Sequence, residues 1–148
     1  MNRHDQTFLN IAGKIDFQQN FSIGRGCRFD IGPGAVATFG SGYVAAQSTF
    51  VIVHGLTVGD GCAISWGCQF LDEDFHQIEY EGKKEKSCEI VIGSNVWIGS
   101  NVSVHRGAMI PDGCVVASGA VVGARFTEKN TLIAGSPAKV IRKNIAWK

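Results

Sequence analysis

A six-residue repeat runs through the second half of this chain. Ile or Val recurs at every sixth position over six consecutive repeats: Ile92, Ile98, Val104, Ile110, Val116 and Val122. Four places after each come residues that are mostly small: Val96, Val102, Ala108, Cys114, Ala120 and Phe126. A helix would repeat at about 3.6 residues and a simple strand at about 2. The period of six predicts short strands joined by corners, with one aliphatic and one small side chain pointing inwards per repeat.

The same repeat occurs upstream in weaker form. The pairs that open its units are Ile23-Gly24, Ile31-Gly32, Phe39-Gly40 and Val58-Gly59, and the phase slips between the runs. Such slips predict bulges or longer corners within one fold. Glycine supplies 19 of 148 residues, well above its usual share of about 7%. We expect the Gly after each aliphatic residue to open the corner, because Gly tolerates φ > 0. The sequence therefore predicts an all-β protein, a parallel β-helix in a single domain spanning 1–148.

The cysteines fit this repeat as core residues. Cys27, Cys62, Cys68 and Cys114 each lie four places after an Ile or Val that begins a repeat, and free Cys behaves as a small hydrophobe. Cys88 lies outside the pattern in a charged loop. There is no C-x-x-C pair and no zinc-finger spacing of the four histidines, so we expect no metal.

Charge and hydropathy exclude several classes of protein. The net charge is +1 and no long basic stripe occurs, which argues against a nucleic-acid-binding surface. The apolar stretches are far shorter than the ~18 residues of a membrane span. The sequence MNRHDQTFLN contains no apolar signal region, so a cytoplasmic location with reduced thiols is expected.

The repeat is interrupted between Phe70 and Ile92. We interpret the charged stretch as an excursion loop over about 79–90, preceded by Asp72, Asp74 and His76 in D-x-D-x-H spacing. If this segment is extended, alternate residues share a face. A carboxylate beside an imidazole fixes its tautomer and raises its basicity, as a general base requires. Which aspartate orients His76 stays open, and the alternative is an exposed loop histidine with solvent-facing acids.

The other histidines are weaker candidates. His4 falls in an expected N-terminal tail. His54 lies near a phase slip without a carboxylate neighbour in sequence, and His105 holds an outward position beside Arg106.

The stretch from IGSNVWIGSNVSVHRGAMIPDGCVVASGAVV to IAGSPAKVIRK resembles the hexapeptide-repeat acyltransferases, in particular the maltose, galactoside and xenobiotic acetyltransferases. The resemblance covers about 17–143 and leaves 1–16 as a lead-in. It implies a left-handed parallel β-helix, homotrimers with active sites between subunits, and acetyl-CoA as co-substrate. It also implies catalytic His76 in the segment FLDEDFHQI, which looks most like enzymes that decorate surface polysaccharides.

The same resemblance implies a coenzyme-binding half. Trp97 and Ser100 would lie near the thioester, Ala117 and Ser118 along the pantetheine arm, and Lys139 and Arg142 near the nucleotide phosphates. Residues 125–148 carry six Lys or Arg against one acid, Glu128, which independently favours an anion site. The alternative is a solvated basic tail. This chain has Gly123 and Ala124 where the family usually has Thr-Lys, and Arg125 is the candidate to replace the lost charge.

The sequence after Gly135 predicts a short C-terminal helix over 136–143. Ser136 would be its N-cap and Pro137 its first residue.

These observations together predict acetyl-CoA-dependent O-acetylation of a carbohydrate hydroxyl, with His76 as general base. The alternatives are N-acetylation of an amino sugar nucleotide and a non-catalytic β-helix that serves assembly. A carbonic-anhydrase-like metal site on this fold would need an H-x4-H pair, which the sequence lacks.

Overall fold

Short strands and corners form a solenoid in the computed structural model, which describes residues 5–148. The prediction for His4 lies outside these residues. Sheet 1 contains β1 (Phe8–Ile11), β4 (Arg28–Ile31), β7 (Thr49–Ile52), β10 (Gln69–Leu71), β13 (Ser103–His105) and β16 (Val121–Val122). Sheet 2 contains β2 (Lys14–Phe17), β5 (Val36–Phe39), β8 (Gly55–Val58), β11 (Ile90–Ile92) and β14 (Met109–Ile110). Sheet 3 contains β3 (Phe21–Ile23), β6 (Gly42–Val44), β9 (Cys62–Ile64), β12 (Trp97–Ile98), β15 (Val115–Val116), β17 (Leu132–Gly135) and β18 (Ala138–Arg142).

From β1 to β15, successive strands visit sheets 1, 2 and 3 in turn, so each of the first five coils passes every sheet once. The last coil goes from β16 in sheet 1 to β17 in sheet 3 without a strand in sheet 2. All pairings between neighbouring coils are parallel, and the chain completes about six coils. The predicted left-handed parallel β-helix is thus the observed architecture.

The predicted inward positions form the core. Every repeated Ile or Val from 92 to 122, and every small residue four places later up to Ala120, has at most 1% of its surface exposed. The four cysteines that the repeat assigns to the core are also buried. In the N-terminal coils, Phe29, Phe50 and Phe70 stack on successive strands of sheet 1, with ring centroids 4.7 and 4.5 Å apart.

The glycines at the corners have a different role from the expected one. The residues with φ > 0 lie three places after each aliphatic residue and are Asn95, Asn101, Gly107, Gly113 and Gly119. Gly93 and Gly99, directly after the aliphatic residues, are needed for close approach. A Cβ at Gly93 would lie 2.7 Å from the Asp112 amide nitrogen, and one at Gly99 would lie 2.7 Å from that of Ser118.

The expected N-terminal lead-in is largely the first coil. Strand β1 pairs with β4 and β2 pairs with β5, so the solenoid begins well before residue 17. The inward residues of this coil have no coil beneath them, and Leu9 and Ile23 are 59% and 37% exposed. The sequence did not predict this first coil because its apolar residues do not keep the spacing of six.

The predicted helix over 136–143 is wrong. Residues Ala138–Arg142 form β18, which turns back and pairs antiparallel with β17 at the edge of sheet 3. Gly135, with φ of 99°, permits the tight turn between them. Ala138 and Val140 pack against the core, and this burial favours the strand over the helix that the Ser-Pro pair suggested.

A loop leaves the solenoid between β10 and β11, at the corner between sheets 1 and 2 of the fourth coil. It contains residues 72–89 and therefore starts before the predicted excursion. Both flanking strands keep their register with neighbouring coils, so the loop does not disturb the core. Within the described chain, no helix is long and apolar enough to cross a membrane.

Candidate active site

Asp72 holds together the corner from which the loop leaves. Its side chain is fully buried, and its carboxylate accepts the backbone N–H groups of Val53, His54 and Gly55 at 2.7, 2.9 and 2.8 Å. Both oxygens are therefore used one coil below. The structure gives Asp72 the role of stabilising a corner, not of orienting His76.

Asp74 and His76 both lie on the exposed loop, but they do not form the predicted pair. Within residues 5–148, His76 makes no hydrogen bond to either aspartate. The Asp74 carboxylate instead lies 3.7 Å from Arg106 of the next coil. His76, Asp74 and Arg106 line one cavity of about 460 Å³ beneath the loop, so the imidazole has open space in front of it.

The sequence missed a histidine–carboxylate pair at the same corner. His54 Nε2 lies 2.7 Å from Glu73 Oε2, while Glu73 Oε1 accepts the N–H groups of Asp74 and Phe75. The His54 ring first, and then the Phe75 N–H, hold the pKa of Glu73 below its usual range. Glu73 thus ties His54 to the start of the loop that carries His76. His54 and Glu73 are 19 residues apart, which is about the length of one coil. The coil length could therefore have indicated this pair in the sequence.

The predicted coenzyme residues other than Arg125 lie elsewhere, on and beside the outer face of sheet 3. Since Ile98, Val116 and Ile133 point inwards, their neighbours Trp97, Val115 and Leu132 point outwards. These three are register partners on β12, β15 and β17, and Leu132 is paired with Arg142 on β18. One outward row therefore leads from Trp97 to Arg142.

A bulge in β18 places Lys139 and Arg142 on the same face. In a regular strand, residues three apart point to opposite faces. Here Lys139 pairs with Ala134 and Arg142 with Leu132, with the register shift between them. Ala134 and Leu132 share a face, so their partners share it too. The predicted proximity of the two cations is preserved although the helix is not formed.

An aromatic groove of about 410 Å³ adjoins this row. Trp97 is 42% exposed and lies 6.1 Å from Trp147, ring centroid to ring centroid. The Trp147 indole N–H donates to the Asn95 carbonyl at 2.7 Å. Tyr43 and Trp66 line the other end of the groove. Sequence reasoning missed Trp147, Tyr43 and Trp66, which lie outside the strict repeat.

Ser100, Ala117 and Ser118 lie at the corner between sheets 3 and 1. The Ser100 N–H and hydroxyl are each 3.2 Å from the Ser118 hydroxyl. Ala117 donates its N–H to the Ile133 carbonyl. The Ser100 N–H, near which the thioester is expected, therefore already has an acceptor in this chain.

Arg125 is not with the other predicted coenzyme residues. It forms a parallel bridge with Met109 of sheet 2, and its guanidinium lies 3.5 Å from the Met109 sulfur. Two other cations of the basic segment are paired, Lys129 with Asp112 at 3.1 Å and Lys143 with Glu128 at 3.0 Å. In the described chain, Lys139 and Arg142 make no ion pair.

The site residues therefore fall into two groups at different places on the solenoid. The loop group, with His76, lies at the corner between sheets 1 and 2, and the groove group, with Trp97 and Ser118, lies at sheet 3 and the corner that follows it. The described residues contain no group of three His, Cys, Asp or Glu side chains arranged to bind a metal ion.

A solenoid of hexapeptide repeats interrupted by one loop defines the class of hexapeptide-repeat β-helix proteins. Residues 89–124 match the bacterial transferase hexapeptide family, described as six repeats. A curated relative from Klebsiella pneumoniae, described as an uncharacterized 24.8 kDa protein in cps region, is 44% identical over 147 residues. The match covers 99% of this chain but only 66% of the relative, so the chain spans about two thirds of that protein's length.

Solved structures of acyltransferases share the fold. The polysialic acid O-acetyltransferase OatWY is 22% identical, with a TM-score of 0.65 over 98% of this chain and 92% of its own. A maltose O-acetyltransferase from Clostridium difficile 630 is 27% identical, with a TM-score of 0.57 over 90% and 67%. A variant of AntD, an N-acyltransferase from Bacillus cereus in complex with dTDP-4-amino-4,6-dideoxyglucose and coenzyme A, is 16% identical, with a TM-score of 0.74 over 99% and 79%. The predicted resemblance to the hexapeptide-repeat acyltransferases is confirmed.

Proposed function

We propose that this chain is an acetyl-CoA-dependent O-acetyltransferase that modifies a carbohydrate hydroxyl, with His76 as general base. The observation that carries the proposal is the exposed imidazole of His76 in an open cavity on a solenoid whose repeats and fold are those of acyltransferases. The Klebsiella relative in the cps region and the similarity to OatWY favour a surface polysaccharide or its precursor as acceptor.

Acetyl-CoA is the second substrate, and the outer face of sheet 3 fits it. The groove beside Trp97 offers aromatic surface and serine hydroxyls for the thioester and pantetheine arm. The row that begins at Trp97 ends at Arg142, with Lys139 on the same face, and both cations are available for phosphate groups. Arg125 pairs with sheet 2, so it is not part of this groove in the same chain.

In the proposed reaction, His76 takes the proton of the acceptor hydroxyl as that oxygen attacks the thioester carbonyl. The C–S bond then breaks, and the proton leaves with the coenzyme A thiol. Preorganised N–H donors stabilise the developing oxyanion. The Ser100 N–H can contribute if the Ser118 hydroxyl releases it.

We further propose a homotrimer with shared sites. Within one chain, His76 and Trp97 belong to separate cavities, so a site that contains both requires a second copy. Light scattering at micromolar concentration should give the mass of a trimer, and a monomer would contradict the shared site.

The test of activity is release of free thiol from acetyl-CoA across a panel of sugars, oligosaccharides and sugar nucleotides. His76→Ala should lower kcat by roughly 10²–10⁴-fold while acetyl-CoA binding is retained. His105→Ala, which alters a histidine one coil above, is the matched control and should change kcat little. Near wild-type transfer by His76→Ala would show that another group is the base.

N-acyl transfer to an amino sugar nucleotide is the second candidate, favoured by the similarity to AntD. Faster thiol release with amino sugars than with their hydroxyl counterparts would select it. If calorimetry shows no binding of acetyl-CoA, the remaining candidate is a non-catalytic β-helix that serves assembly.

A further inference from the structure

The cavity beneath the loop contains a strong cation that the general-base proposal does not use. Arg106 follows β13 and reaches into the cavity that also contains His76. Its side chain is only 20% exposed. It therefore lies against the place where an acceptor must sit to give its proton to His76.

The hydrogen-bonding capacity of Arg106 is unused in the described part of the chain. Its Nε is buried and has no partner. Its terminal nitrogens lie 3.7 Å from Asp74 and 3.8 Å from Glu85, beyond hydrogen-bond distance, and these carboxylates are 56% and 85% exposed. Exposed ion pairs of this length contribute little, whereas a buried guanidinium N–H without an acceptor is costly.

The rest of the cavity lining is also basic. Its charged residues, apart from His76, are four cations and two carboxylates: Lys83, Lys84, Lys86 and Arg106 against Asp74 and Glu85. The excess positive charge in a concave site attracts anions. Among these cations Arg106 is the planar one, and its fork geometry matches a carboxylate in a bidentate pair.

We propose that Arg106 is an acceptor-binding residue that pairs with the carboxylate of an acidic sugar. This inference rests on the proposed function, because it makes the acceptor a glycan of sugar acids rather than a neutral sugar. The sugar carboxylate would accept hydrogen bonds from the terminal N–H groups of Arg106 and thereby fix the hydroxyl to be acetylated in front of His76. The coenzyme phosphates have their own cations on sheet 3, so the loop cavity is reserved for the acceptor.

The test compares oligosaccharides of glucuronic, galacturonic or sialic acid with the same compounds after reduction of their carboxyl groups. Wild-type protein should prefer the acidic member of a pair. Arg106→Gln should raise its KM by about 10–100-fold, as expected for the loss of a charged hydrogen-bonded pair. The KM values for acetyl-CoA and for the reduced acceptor should stay within about twofold. The control is Arg28→Gln, which removes the same charge at an exposed arginine paired with Asp30 in the second coil. It should change the KM of neither the acidic nor the reduced acceptor.

A second variant keeps the test decisive if Arg106→Gln does not fold. Glu85→Gln removes a carboxylate of the cavity lining that repels an acidic acceptor, so it should lower the KM of the acidic acceptor and leave that of the reduced one unchanged. Equal effects of Arg106→Gln on both acceptors, equal use of both by the wild type, or sugar phosphates used as well as sugar acids would overturn the proposal.

Direct binding separates this inference from the proposed reaction. Calorimetry with the acidic and reduced oligosaccharides, without acetyl-CoA, should show binding of the acidic member that Arg106→Gln abolishes. That result without any acetyl transfer would support the subsite and reject the reaction. Acetyl transfer that is unaffected by Arg106→Gln would support the reaction and reject the subsite.

Discussion

Asp72 and Asp74 are two residues apart and chemically identical, yet the structure uses them differently. Asp72 directly follows strand β10, and its side chain meets three backbone N–H groups of the coil below. Asp74 lies beyond the turn that Glu73 stabilises and faces solvent and Arg106. The D-x-D-x-H spacing indicated a shared face, but the chain is not extended after Asp72.

Asp72→Ala should lower the free energy of unfolding by about 3 kcal/mol or more, because it leaves three corner N–H groups without their charged acceptor. Asp74→Ala, the matched control on the exposed loop, should change stability by less than about 0.5 kcal/mol. Urea denaturation of both variants measures the difference. Equal stability of the two variants would contradict the structural role of Asp72.

The sequence indicates His76 as a candidate, but it does not indicate which of the residues around it contact one another. Contacts in a solenoid join residues one coil apart, as His54 and Glu73 or Asp74 and Arg106 do. Those distances follow from coil length, and coil length is hard to read where the repeat slips or a loop intervenes. In the sequence, nothing distinguishes Arg106 beyond its position next to His105.

At the scale of elements, the corners are stabilised by side chains from the adjacent coil. Asp72 serves the corner at 53–55, Asp112 accepts the Ser94 N–H at 2.8 Å, and the Ser118 hydroxyl accepts the Ser100 N–H. The corners carry little regular pairing of their own, so these bonds satisfy backbone groups that the sheets leave free.

Asp112 should give the protein an acid-sensitive contribution to stability. The Ser94 N–H, followed by Lys129, holds the pKa of the Asp112 carboxyl below its usual range. A lowered folded-state pKa contributes stability above the unfolded pKa of about 4, and this is lost as pH falls through the folded value. Asp112→Asn should therefore be less stable than wild type at pH 7 and should lose less stability on acidification. Urea titrations of both proteins at pH 7 and at acidic pH test this. Parallel changes of their unfolding free energies with pH would contradict it.

The stacked phenylalanines should carry much of the stability of the N-terminal coils. Phe50 lies between Phe29 and Phe70 and is fully buried, so Phe50→Ala should lower the free energy of unfolding by about 3–5 kcal/mol. Phe8→Ala, at a ring that is 50% exposed, is the control and should have a much smaller effect. Thermal unfolding of both variants measures the difference. A similar loss of stability in the two variants would contradict the importance of the stack.

Strict repeats made the strands from 90 to 122 predictable, because each repeat specifies its own inward residues. The two ends were predicted less well. The first coil has aromatic residues without the spacing of six, and the β18 strand depends on pairing with β17, a tertiary contact that outweighs the local Ser-Pro preference for a helix start.

The whole molecule separates the loop group and the groove group by one side of its triangular section. A single chain thus presents the two groups in separate places, and under the proposed function two copies would combine to complete a site. The family resemblance predicts shared sites, and the separation of the two cavities supports this proposal.

Mixing two inactive proteins tests the sharing. His76→Ala should be combined with the double variant Lys139→Ala/Arg142→Ala by co-expression or by refolding together. If each site takes His76 from one copy and the coenzyme contacts from the next, random trimers should recover about one quarter of wild-type activity. Recovery should be absent if one chain supplies both groups, and separately folded, unmixed proteins provide the baseline.

The loop that leaves and re-enters the solenoid at one corner also has an evolutionary consequence. Strands β10 and β11 are in register with the neighbouring coils on either side of the loop, so mutations, insertions or exchanges at 77–89, beyond His76, need not be compensated in the core. Such a chain can diversify its choice of acceptor rapidly while the remainder of the gene changes slowly.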